Sequence, residues 1–151
     1  MRMQPMRLRK FSLAALLVSM PASTKDCNLT SLTITSNSAS VGNVIVTLGN
    51  ADDAQQPTAW LGPVTISTDG QPACTASESV SIVEKPVLLG PDILFVPTYS
   101  GSERIMYALD TKTCRIVWKS HIFYGDSSYT HGALTLGNHR VILNKKCHPA
   151  T

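Results

Sequence analysis

The stretch that decides the fold runs Ile93-Leu94-Phe95-Val96, Pro97 to Glu103, Arg104-Ile105-Met106-Tyr107-Ala108-Leu109, Asp110-Thr111-Lys112-Thr113, Cys114-Arg115-Ile116-Val117-Trp118-Lys119. Its apolar residues are rich in β-branched and aromatic types and fall in short runs, not at the three-and-four spacing of a helix. The pattern predicts strand, loop, strand, tight turn, strand. Asp110 can accept backbone N–H bonds within its turn, which fixes the register of the hairpin it closes.

Working outward, Tyr107 to Thr113 followed by Ile116-Val117-Trp118-Lys119 resembles one blade of the quinoprotein-type β-propeller repeat. Cys114 stands where such blades usually carry a glycine after the turn. A closed propeller needs about four to eight blades of roughly 40 residues each, and 151 residues hold three at most. A redox quinoprotein is thereby excluded by length. Similar runs occur on both sides: Leu29 to Thr35, Val41 to Leu48, Thr58 to Ile66, Val80 to Glu84, Ala133 to Leu136 and Arg140 to Asn144. Turn signals separate them at Gly49-Asn50, Asp69-Gly70, Gly90-Pro91, Ser100-Gly101, Gly125-Asp126 and Gly137-Asn138. Nine short strands in this arrangement predict an all-β, single compact domain, propeller-blade-like or a sandwich. No window after residue 22 reads as a helix, and Asn50 to Pro57 reads as a polar loop.

The N-terminal residues have the layout of a secretory signal. Arg2, Arg7, Arg9 and Lys10 precede an apolar run from Phe11 to Met20, and Pro21-Ala22-Ser23-Thr24 supply a cleavage region. Ten apolar residues span only about 15 Å as a helix, half of a bilayer core, so removal near residue 22 is expected rather than anchoring. The division is then a signal peptide at 1–22 and a β-rich domain at 23–151. Whole, the chain has 13 basic and 10 acidic residues; the signal takes four basic ones, leaving nine against ten. Its basicity therefore argues for no nucleic-acid partner.

Four cysteines, Cys27, Cys74, Cys114 and Cys147, all follow the signal. An even, widely spaced set in an exported chain predicts two disulfides. Three pairings are possible. Cys27–Cys74 with Cys114–Cys147, closing two successive segments, is the expected one. No two cysteines have the close spacing of a zinc site, so no metal and no cofactor is read.

Catalytic candidates are scattered. His121, Asp126, His131 and His139, with Ser127 or Ser128, match no nucleophile elbow and no zinc signature, so no catalytic residue is assigned. Ser100-Gly101-Ser102, preceded by Thr98-Tyr99 and followed by Glu103-Arg104, form a small hydroxylic loop.

Several segments together carry a family likeness. Asp26 to Leu32, Ser100-Gly101-Ser102, Tyr107, Asp110 to Val117, Leu134-Thr135-Leu136-Gly137 and Lys146-Cys147 resemble periplasmic immunity proteins that neutralise type VI secretion peptidoglycan amidase effectors. The resemblance implies a non-enzymatic inhibitor whose serine-bearing loop enters the cleft of a Cys/His amidase and hydrogen-bonds its catalytic histidine. Carried over, Ser100, Gly101 and Ser102 form the inhibitory loop, with Tyr99 and Arg104 as rim contacts of kinds common among interface hot spots. The sequence departs from that pattern in a shorter acidic loop near Asp52-Asp53 and a shorter C-terminus. Two other expectations compete: a binding module for another wall hydrolase using Tyr124 to Gly132, and a small hydrolase using His131 with Ser127 or Ser128.

Overall fold

The computed structural model describes residues 26–150, so the expected signal at 1–22 lies outside the described residues. The first half of the chain forms β1 (Thr30–Ser31), β2 (Ser38–Val41), β3 (Val44–Thr47), β4 (Ala59–Trp60), β5 (Thr65–Thr68), β6 (Cys74–Thr75), β7 (Val83–Glu84) and β8 (Leu88–Leu89). The second half forms β9 (Ile93–Ser100), β10 (Glu103–Asp110), β11 (Ile116–Lys119), β12 (Ser127–Thr130), β13 (Ala133–Leu136) and β14 (His139–Ile142). The described residues contain no helix. All strand ladders are antiparallel, and the strands make three sheets. A central sheet runs β1-β8-β9-β10-β11, with β7 joining β4 to β9; a four-stranded sheet runs β2-β3-β5-β6; and a three-stranded sheet runs β12-β13-β14.

Turn chemistry sets the hairpins. Gly42, Gly101 and Gly137 each open a two-residue connection with φ of +58°, +62° and +59°, followed by Asn43, Ser102 and Asn138 without a positive φ. A left-handed first residue is the signature of a type II′ turn, whose twist matches the paired strands. His131-Gly132, with both φ values positive, connects β12 to β13 as a type I′ turn.

The central sheet is buried on both faces, because residues of β9 and β10 alternate between two cores. Leu94, Val96, Tyr107 and Leu109 join a core with Val46 and Ile66 of the four-stranded layer and with Leu48 and Val64, which flank its strands. Ile93, Phe95, Met106 and Ala108 join another with Leu134 and Leu136 of the three-stranded layer. The molecule is therefore a stack of three sheets, the central one in the middle. Full burial of a side chain such as Phe95 or Leu94 is worth about 1.5–3 kcal/mol, and this double-sided strand pair collects that gain along Ile93 to Val96 and Met106 to Leu109. Trp60, fully buried, also donates from Nε1 to the Ser36 carbonyl at 2.7 Å.

Two disulfides form, but not in the expected pairing: Cys27 bonds Cys147 and Cys74 bonds Cys114. The stack explains the correction. Cys74, on β6, faces the turn at Cys114 across the first core, and the C-terminal tail returns to the segment ahead of β1 in the second core. Cys114 has φ +56°, so the position where the blade repeat usually carries glycine does adopt the left-handed backbone.

Several strand limits also differ from the sequence reading. Val41 to Leu48 is broken by the Gly42-Asn43 turn, and Thr58 to Ile66 divides at Gly62-Pro63 into β4 and β5. Pro97 to Glu103 is not a loop: β9 continues through Pro97 to Ser100. Pro97 pairs with Met106, whose carbonyl accepts the Ser120 N–H at 2.9 Å and so points away from β9. The Pro97 nitrogen faces the gap between β8 and β7, where no ladder bond is lost.

Candidate functional site

The predicted serine loop is the tip of the β9–β10 hairpin. The stem is buried from Ile93 to Thr98; beyond it Tyr99 is half-buried, and Ser100, Gly101, Ser102 and Glu103 are exposed. Ser100 pairs with Glu103, so only Gly101 and Ser102 make the turn. A Cβ built on Gly101 meets nothing within 4 Å, which puts the tip in open solvent.

Both flanks of the tip are braced. The Tyr99 N–H donates to the Ile82 carbonyl at 3.1 Å, and Arg104 exchanges two 2.9 Å backbone hydrogen bonds with Phe123. The Thr98 hydroxyl donates to the Ile105 carbonyl at 3.2 Å across the ladder. Four extended segments thus lie side by side at this end, in the order 82–84, 98–100, 103–105, 122–124.

Arg104 is not a free rim residue. Its Nε lies 2.5 Å from Glu84 Oε1 and its Nη2 3.4 Å from Oε2, with both side chains about one-fifth exposed (21% and 18%). The pair sits on the face that carries Phe123 and Met106. On the opposite face, Ser100, Glu103 and Ile105 border a groove of about 310 Å³, together with Ser79, Ser81, Ile82 and Ile122. Ile82 has φ +56°, a costly conformation for a β-branched residue and one that gathers at functional sites.

The other sequence candidates do not converge. His131 sits exposed in the β12–β13 turn, while Ser127 is buried with an Oγ that has no hydrogen-bond partner among the described residues. His121 and His139 border an apolar pocket of about 150 Å³ with Trp118, Phe123, Leu136 and Val141, and Asp126 is not among its walls. No three His, Cys, Asp or Glu side chains gather as a metal site among the described residues.

Two aspartates do have perturbed acidity, both for structural reasons. The Thr58 hydroxyl and the N–H groups of Ala59 and Thr58 hold the Asp52 carboxyl far below the usual carboxylate range. For Asp110, burial pushes upward, but the Thr113 hydroxyl and the N–H groups of Thr113 and Lys112 outweigh it and hold the carboxyl low. Both are turn locks, the second at the turn where sequence placed it.

Sequence reasoning missed Glu84, Ile82 and Ile122 as neighbours of the tip. A signal existed for the last: Ile122-Phe123-Tyr124 is a β-branched and aromatic run, which the structure places as exposed, buried, exposed. The two disulfides place the domain in an oxidising, non-cytoplasmic compartment. No helix among the described residues is long and apolar enough to cross a membrane. No protein-family model matches the chain, and a comparison with curated proteins finds no match.

Proposed function

We propose that this chain is a periplasmic immunity protein, exported by the signal at 1–22, that blocks a peptidoglycan amidase delivered by type VI secretion. The tip Ser100-Gly101-Ser102 enters the active-site cleft of the amidase, and a serine hydroxyl meets its catalytic histidine. The observation that supports this reading most is the shape of the tip: a two-residue turn with small hydroxylic side chains on a stem buried on both faces. A narrow cleft admits such a tip, and a hydroxyl desolvated there needs a partner. A braced tip also loses little conformational freedom on binding, which raises affinity without further contacts.

The test pairs the purified mature chain with Cys/His peptidoglycan amidases delivered by type VI secretion, with cleavage of a stem peptide as the readout. Ser100→Trp combined with Ser102→Trp should abolish inhibition and leave the thermal midpoint of the inhibitor almost unchanged, since neither side chain joins a core. Full inhibition by the double variant would overturn the proposal.

A further inference from the structure

The face of the central sheet that bears Thr98 and Tyr107 is buried at those two residues. Ile105, paired with Thr98, is half-buried against the same core, and Ser100 and Glu103 carry the face on to the exposed tip. In the bridge between Arg104 and Phe123, Ile122 and Tyr124 fall on the same side as Ile105 and Glu103. Ile122 is 49% exposed and Tyr124 60%, beside a groove walled by the Ile82 segment.

Charge on this face has one sign. Glu103 and Arg104 are consecutive and point to opposite faces, and Arg104 is engaged by Glu84 on the far one. Residues 79–82, 98–107 and 122–124 contain a single basic side chain, Arg104 itself. The Tyr124 hydroxyl lies 3.4 Å from Glu103 Oε1, a long contact between exposed side chains that puts Tyr124 beside the carboxylate at the groove's wall. An apolar, hydroxylic platform with one carboxylate at its edge is complementary to a cation flanked by apolar surface.

We infer that this platform is a second docking surface, for a loop of the inhibited amidase that presents a lysine or arginine beside an apolar side chain. The inference rests on the proposed function and extends it from the tip to the face beside the tip. The apolar residues hold the loop, and Glu103 pairs with its cation at the moment the tip enters the cleft. An interfacial charge of this kind acts mainly on the association rate, whereas buried aromatic anchors act mainly on dissociation.

Association with the Cys/His amidase used in the inhibition assay, measured at low and high salt, tests it. Glu103→Lys should slow association about tenfold and flatten its salt dependence, and Ile122→Ser with Tyr124→Ser should speed dissociation about tenfold. Asp69→Asn, an exposed charge in the β5–β6 turn, should change neither. Reversing the matching lysine or arginine on the amidase should restore association to Glu103→Lys. If the wild-type chain does not inhibit the amidase, the functional reading itself fails. If it inhibits through its serine tip while the Glu103 and Ile122/Tyr124 variants stay within about twofold of wild type, this inference alone is overturned.

Discussion

Removing either disulfide tests the observed pairing and the stack it holds together. The perturbations are Cys27→Ala with Cys147→Ala, and Cys74→Ala with Cys114→Ala; alanine avoids leaving a hydroxyl in either core. The bridges span sequence separations of 120 and 40 residues. Chain-entropy scaling with loop length gives about 4.9 kcal/mol for the longer loop and about 3.9 kcal/mol for the shorter at 25 °C. Against a domain stability of about 5–15 kcal/mol, either loss is large, and the longer loop should cost about 1 kcal/mol more. Urea unfolding of the two double variants measures the difference, and peptide mapping without reductant confirms the pairing. A Cys27–Cys74 peptide would refute the arrangement. A smaller loss from the Cys27/Cys147 pair than from the Cys74/Cys114 pair would refute the loop-entropy reasoning. The left-handed backbone at residue 114 adds a finer check. Cys74→Ala with Cys114→Gly should be about 1 kcal/mol more stable than the same pair with alanine at 114, since only glycine adopts φ +56° without cost.

Two further outcomes follow from local geometry. A Cβ at Gly137 meets the Tyr124 carbonyl oxygen at 2.1 Å, whereas one at Gly101 meets nothing within 4 Å. Both have positive φ, so Gly101→Ala should cost about 1 kcal/mol in thermal unfolding and Gly137→Ala several times more; equal losses would argue against the packing at the β13–β14 turn. Asp110 is held below its ordinary range, so its charged form favours the folded state and contributes stability above the unfolded value of about 3.9. The urea midpoint of Asp110→Asn should trail wild type by a constant margin from about pH 7 to pH 5, and the margin should close as pH falls through the lowered folded value; a margin that persists in acid would show that the charge is not its source.

The hairpin at the heart of the fold was legible because Ile93 to Lys119 carries every local signal at once: β-branched runs, an Asx turn and the exposed Ser-Gly-Ser tip. Less was legible where a strand has too few residues to show a period. β6 and β8 have two residues each and fall in none of the predicted runs, and their pairing is dictated by neighbours elsewhere in the sequence. Ser127 to Thr130 is not among the predicted strands, because Ser127-Ser128-Tyr129-Thr130 has no apolar alternation to mark it; its strand state depends on the His131-Gly132 turn that folds it onto β13. Disulfide pairing failed for a related reason. Proximity along the chain predicts adjacent closures, but the layer order brings Cys27 to Cys147 and Cys74 to Cys114. Of the site, the serines were visible as a composition, whereas the pairing of Arg104 with Glu84 required knowing that β7 runs beside β9.

The layer order also bears on what the bridges hold together. In a closed ring of blades every sheet is packed on both faces, but among the described residues a stack of three leaves each outer sheet with one face uncovered. Ile45 of β3 and Ile142 of β14, about half exposed on those outer layers, mark surface that the stack does not bury. The Cys74–Cys114 bridge fastens the four-stranded layer to the central hairpin, and the Cys27–Cys147 bridge fastens the tail after β14 to the segment ahead of β1. Both covalent ties therefore end on, or next to, the sheet that projects the tip. Clamping that sheet from two sides keeps the stem in one geometry while the tip contributes to neither core. Substitutions at Ser100 or Ser102 should then leave stability unchanged whatever they do to the proposed inhibition, and substitutions in the clamp change stability first.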